Sequence, residues 1–154
     1  MTTPTRPRLL ADLPAAGSDR LMELSGEAHF SRDTRIFEEG RRADRFWIIR
    51  SGSVTLDLRV PGRHAAQVDT LGADDLLGWS WLFPPYSWHL GATAQTPVRA
   101  WEFEAKAVRA LCEEEPVFGQ ALTRCVAEII ARRLQKARRR LLDLYGPQGS
   151  GFGL

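Results

Sequence analysis

The chain has 154 residues, 44% of them hydrophobic and 26% charged, which is material for one substantial core but not two. No apolar run approaches the roughly 20 residues of a membrane span, and prolines and an aspartate interrupt the start, MTTPTRPRLLADLP, where a secretory signal needs an apolar stretch; a soluble cytoplasmic protein is expected. The net charge of +2 conceals a division, with −4 over residues 21–115 and +5 over residues 116–154, which argues against a nucleic-acid footprint across the whole domain.

Residues 1–17, rich in Pro, Thr and Arg, predict a flexible N-terminus. Ser18 and Asp19 have the character of caps for a short helix through Leu24. Short β-rich runs follow at Thr34–Phe37, Phe46–Arg50, Val54–Val60, Ala66–Thr70 and Val98–Phe103. Turn residues separate them: Glu39-Gly40, Ser51-Gly52, Pro61-Gly62, Leu71-Gly72 and Pro84-Pro85. Val54–Val60 alternates between apolar and more polar side chains, as a strand with one buried face does. Such regular spacing predicts a compact antiparallel roll or barrel. From Ala105 the pattern is helical. A short helix over 105–114 stops before Pro116, which suits the first turn of a long helix over 116–145. Gly146-Pro147 ends that helix, leaving 146–154 as a flexible tail.

The long helix carries two stripes. Ala127, Ile130, Leu134, Ala137, Leu141 and Leu144 recur at alternating spacings of three and four, a heptad seam. Phe118, Leu122, Cys125 and Ile129 form a second stripe on its first half. The expectation is that the first half docks on the roll while the seam meets a second copy, giving a homodimer; the alternative packs the seam within the chain. About 30 residues at roughly 1.5 Å each outreach so small a domain. The cations of the second half, Arg132, Arg133, Lys136 and Arg138–Arg140, complement the helix dipole and flank the seam. The competing reading is attraction to an acidic partner, a membrane surface or nucleic acid.

The order of elements meets specific residues in the stretch Ile36-Phe-Glu-Glu-Gly40 through Gly52-Ser-Val-Thr-Leu56. It resembles the cyclic-nucleotide-binding domain of the Crp/Fnr regulators, in which a glycine-ended turn precedes an aromatic–aliphatic strand and a second glycine turn. Leu71-Gly72-Ala-Asp-Asp-Leu-Leu-Gly78 resembles the family's next glycine-rich segment, one residue longer. Gly40, Gly52 and Gly72 are therefore expected to serve the fold, through positive φ or close backbone approach. The resemblance spans roughly 18–145. It implies a mainly β fold with flanking helices: a double-stranded, cupin-like β-roll (jelly roll) over 18–115, followed by the long C-terminal helix.

In members of this family that bind cyclic nucleotide, a glycine–glutamate pair opens a helical turn whose amides cradle the phosphate. An arginine about ten residues later pairs with that phosphate. Here Trp79 follows Gly78, and residues 79–94 contain neither arginine nor lysine. Burying a phosphate without its counter-charge costs about 3–5 kcal/mol, so tight binding of cAMP or cGMP is not expected. Arg50, Arg59 or Arg99 could substitute only by reaching in from a neighbouring strand. The segment offers aromatics instead: Trp79, Trp81, Phe83, Tyr86 and Trp88, with His89 beside them. Either these rings fill the vacated pocket, or they line a site for an apolar or flat ligand or a partner protein. The candidate pocket comprises Gly78, Trp79, Ser80, Trp81, Ser87, Trp88, His89 and Thr93.

Other chemistries find little support. His29, His64 and His89 are scattered, with no His-x-His pair, so no metal is expected. No nucleophile-elbow or phosphate-loop motif occurs. Cys112 and Cys125 lie on successive predicted helices, where core packing is the simpler role, and the N-terminus has no cysteine for the iron–sulfur cluster some relatives carry. The reading is a non-enzymatic regulatory or sensory module without cofactor. Its alternatives are a ligand-free interaction scaffold and, remotely, a cupin-like enzyme. Full-length regulators of this family follow the long helix with a winged helix-turn-helix; nine residues after Tyr145 cannot hold one, so specific DNA binding is not expected.

Overall fold

The computed structural model describes residues 6–145. After a 3-10 turn at Arg8–Leu10 come α1 (Ala15–Glu23), β1 (Gly26–Phe30), β2 (Arg35–Phe37), β3 (Arg45–Ser51), β4 (Val54–Leu58) and β5 (Ala66–Leu71). Then follow β6 (Leu76–Leu77), a 3-10 turn at Ser80–Leu82, β7 (Gly91–Ala94), β8 (Val98–Glu104), α2 (Ala105–Glu114) and α3 (Pro116–Tyr145). The strands make two four-stranded antiparallel sheets, ordered β1-β8-β3-β6 and β2-β7-β4-β5. This is the β-roll with a long C-terminal helix that the sequence predicts. The tail at 146–154 lies outside the described residues.

Burial follows the pattern of side chains. In β4, Val54 and Leu56 are buried and their neighbours Thr55 and Asp57 are half-buried, the alternation of a strand with one face on the core. In β3, Phe46, Trp47, Ile48 and Ile49 are all buried, so this strand is covered on both faces. Phe46 stacks on Phe103 and Trp81, at centroid distances of 4.8 and 4.2 Å. Trp47 packs the other way, toward Phe37 and Trp88. Gly52 turns the chain from β3 into β4 at φ +93°, and a Cβ there would stand 2.2 Å from the Pro97 carbonyl oxygen. Only glycine meets both demands.

The helices close one side of the molecule. Gly17 of α1 lies so close to Phe118 of α3 that a Cβ would be 2.1 Å from its ring. Along α3, Phe118, Leu122, Val126 and Ile129 are buried, and Cys125 is half-buried; the stripe is buried as expected, with Val126 added, but it packs chiefly on α1 and α2 and not on the roll.

Several details differ from the sequence reading. Ser18 and Asp19 do not cap α1; the helix begins at Ala15 after Pro14. Ser18 is buried inside it, and its hydroxyl has no partner among the described residues. Within the segment read as a flexible N-terminus, Leu10 joins the core and Ala15 already belongs to α1. β1, β6 and β7 lie where the sequence pattern predicts no strand. Gly72 has neither a positive φ nor a neighbour that a Cβ would meet. The left-handed residue of that turn is Asp74, at φ 71°, while the Asp75 carboxylate accepts from the Gly72 N–H at 2.8 Å.

Candidate functional site: the 78–94 segment and the face of the long helix

The segment from Gly78 to Ala94 leaves β6, makes the 3-10 turn and returns along β7. Gly78 adopts φ +96°, and ring atoms of Trp88 lie 2.7 Å from where its Cβ would be. A side chain at 78 would therefore displace the indole. Trp88 stacks on Phe37 at 3.9 Å with planes 12° apart and is only 5% exposed. Its backbone is fixed as well: the Trp88 N–H donates to the Arg41 carbonyl at 2.9 Å, and its carbonyl accepts from Gly40 N–H at 2.8 Å. Gly40 makes that contact at φ +86°, a conformation that favours glycine.

Around this ring sits a small polar pair. Ser80 Oγ and His89 Nδ1 are 3.0 Å apart, and Trp79 stacks on the His89 ring at 5.0 Å. Trp81 turns away into the core, where its Nε1–H donates to the Gly78 carbonyl at 3.2 Å. Arg109 of α2 braces the turn from outside. It donates to the Trp81 carbonyl at 2.7 Å and lies over the Tyr86 ring at 4.4 Å.

Of the residues proposed for the pocket, Gly78, Trp79, Ser80, Trp88 and His89 converge on one cavity, which retains about 30 Å³. Trp81, Ser87 and Thr93 do not reach it. Trp81 is a core residue, Ser87 bridges to Arg42, and Thr93 accepts from Arg35 on the β2–β7 surface at 2.9 Å. The sequence reading missed Phe37, Leu56, Leu90 and Arg133, which complete the lining. Arg50 and Arg99 do not substitute for the absent cassette arginine. Both pair with Glu27, at 2.9 and 3.2 Å, and Arg50 also covers the Trp101 ring.

The cation that does approach the segment comes from α3. Arg133 donates to the Leu76 carbonyl at 2.5 Å. Burial pushes its guanidinium below the usual value, against the pull of Asp75 and Asp69. Its position was legible in principle: Phe118, Leu122, Val126 and Ile129 predict that the next residue on the docking face is 133. Above the filled pocket, between β4, β5, Trp79 and α3, a second cavity of about 320 Å³ opens. On the far side of the helix pair, burial pushes the half-buried thiols of Cys112 and Cys125 up, which keeps them protonated and slow to react.

The seam divides along its length. Ile130 is half-buried against the core. Leu134, Leu141 and Leu144 are 60%, 54% and 77% exposed. No helix among the described residues is long and apolar enough to cross a membrane.

Comparison with known proteins agrees with this architecture. The sequence profile of the cyclic nucleotide-binding domain matches residues 27–115. A CRP-like cAMP-activated global transcriptional regulator of Mycobacterium tuberculosis is 32% identical over 115 residues, covering 75% of this chain and 50% of that protein. The chain therefore spans half the length of this curated relative. Among solved structures, a Geobacter metallireducens protein provisionally described as cyclic nucleotide-binding superposes with a TM-score of 0.75 at 26% identity, covering 87% of this chain and 99% of that one. The N-terminal domain of a transcriptional regulator from Streptomyces coelicolor gives a TM-score of 0.67 at 27% identity, covering 88% and 94%.

Proposed function

The chain belongs to the cyclic nucleotide-binding domain family, and from that premise we propose a non-enzymatic regulatory module whose cassette does not hold cAMP or cGMP tightly. The observation that carries this reading is the Trp88 ring. It packs against Phe37 and the Gly78 backbone and leaves about 30 Å³, whereas ligand cavities run from about 300 to 1,000 Å³. A cyclic nucleotide would have to expel the indole. It would also lack a guanidinium from the segment itself, a loss of about 3–5 kcal/mol, or roughly two to three orders of magnitude in affinity.

In this proposal, signalling runs from the 78–94 segment to the long helix. Trp79 and Leu90 face Ile130 and Arg133 across the upper cavity, so a shift of the segment alters how α3 is seated. The exposed seam beyond Ile130 joins two copies. A second reading, a ligand-free interaction scaffold, is favoured by the same filled pocket together with the exposed leucines of α3.

A thermal-shift series with cAMP and cGMP up to millimolar concentration tests the central claim. No saturable stabilisation is expected, and a micromolar response to either nucleotide would overturn it. Native mass spectrometry of freshly purified protein separates the two readings. A co-purifying small molecule favours the sensor, and bare protein favours the scaffold.

A further inference from the structure

We propose that the upper cavity, between the roll and α3, binds a small apolar monocarboxylate, with its body among Leu56, Val68, Leu90, Ile130 and Leu134 and its carboxylate on Arg133. This rests on the reading of the chain as a regulatory module and names the ligand class that module takes.

The first support is size. At about 320 Å³ the cavity reaches the range of small-molecule sites, and it is ten times roomier than the filled pocket beneath it. The second is composition. Only two charged side chains line it, Asp69 and Arg133. Asp69 is already satisfied: Lys136 Nζ lies 2.7 Å from its Oδ1, and the same oxygen accepts the Thr70 N–H at 2.9 Å. Arg133 is different. It is half-buried, and its hydrogen bond among the described residues goes to a neutral acceptor, the Leu76 carbonyl. A guanidinium offers five N–H donors in a planar fork, so most of its capacity is unused where water is partly excluded. Asp75 and Asp69 act on that charge only at longer range, without an ion pair, and a ligand anion supplies the direct partner.

The chemistry of that anion follows. One guanidinium matches one planar carboxylate in a bidentate pair. A phosphate dianion would need a second cation, and Lys136 is engaged by Asp69. The remaining walls are apolar, with the Trp79 ring along one side, so the body is a hydrocarbon chain or a flat ring. A second copy of α3 is a poorer occupant. Seated along the seam it closes over Leu134 and Ala137 without filling the cavity, because its flank of Arg138 and Arg139 brings no carboxylate to Arg133.

The test is calorimetric titration of the full chain with 2-naphthoate and octanoate, with their uncharged counterparts 2-naphthylmethanol and octanol, and separately with cAMP. Saturable binding of at least one acid is expected, with its alcohol at least tenfold weaker. Arg133→Gln should weaken the acid at least tenfold and leave the alcohol unchanged. Val68→Phe, which narrows the cavity and leaves Arg133 in place, should abolish both, and it carries the test if Arg133→Gln does not fold. No saturable acid binding, an alcohol that binds as tightly as its acid, or acid binding indifferent to the substitutions would overturn the proposal. Tight cAMP binding alongside Arg133-dependent acid binding overturns only the reading of the cassette; tight cAMP binding without acid binding overturns both.

Discussion

Trp88 is held from three directions, by the Phe37 ring, by the Gly78 backbone and by hydrogen bonds to the 40–41 turn. An aromatic ring fixed this way acts as core rather than as a contact surface. Trp88→Ala should therefore destabilise the protein by about 3–5 kcal/mol, the usual range for removing a large buried aromatic. The space it vacates has the shape of an indole. Added indole should raise the melting temperature of Trp88→Ala in differential scanning fluorimetry while leaving the wild type unmoved. An equal response from both proteins would mean that the ring is not filling a pocket. The residue chemistry of this site was partly legible in the sequence. The absence of cations in 79–94 and the density of rings could be read directly, whereas which ring enters the pocket could not. Trp79, Trp81 and Trp88 look alike in a sequence. Their fates differ because Trp81 follows the 3-10 turn into the helix side of β3 and Trp88 enters the roll.

At the scale of elements, α3 changes character without changing face. Phe118, Leu122, Val126 and Ile129 dock by burial, and the same face continues through Arg133, Lys136 and Arg140. These donate to the Leu76 carbonyl, the Asp69 carboxylate and the Val68 carbonyl respectively. β6 and β5 are edge strands of the two sheets, so Arg133 and Arg140 serve carbonyls that edge strands leave unpaired, while Lys136 pairs with a side-chain carboxylate of β5. The docking face therefore extends past the apolar stripe, where the sequence reading expected a solvated flank. A charged run reads as exposed in a sequence, and only the periodicity of the apolar stripe points the other way. The unforeseen strands have a similar cause. β1 (GEAHF), β6 (two residues) and β7 (GATA) lack the run of β-branched and aromatic residues that marks a strand. They are strands because β8, β3 and β4 offer them partners. The clasp has a measurable consequence. The double substitution Lys136→Gln and Arg140→Gln should cost little globally, about 1 kcal/mol or less, because these side chains are exposed. It should still speed amide hydrogen exchange across residues 131–145 several-fold, with β3 and β8 unchanged. Exchange in 131–145 that matches the wild type would show that the clasp does not seat the helix.

For the molecule as a whole, the division between an acidic roll and a basic last segment is partly consumed within the chain, where Lys136 meets Asp69. What remains shapes the proposed dimer. With Leu134 and Leu141 at a, and Ile130, Ala137 and Leu144 at d, Arg133 and Arg140 fall at g and Arg138 at e. Arg133 and Arg140 are turned to carbonyls of the roll, but in a parallel pair the cationic flanks of both copies still line one seam, and like charges oppose association while the exposed leucines favour it. The two contributions respond differently to salt. Screening shortens from about 10 Å at 0.1 M to about 3 Å at 1 M, which weakens the repulsion, while burial of leucine persists. Sedimentation at several concentrations should therefore show a dimer that tightens as sodium chloride rises. Leu141→Glu should be monomeric throughout, because it places a carboxylate in the seam without touching the roll. A dimer that dissociates in salt would mean that ion pairs hold it and the seam does not, and a wild-type monomer at every concentration would remove the dimer altogether.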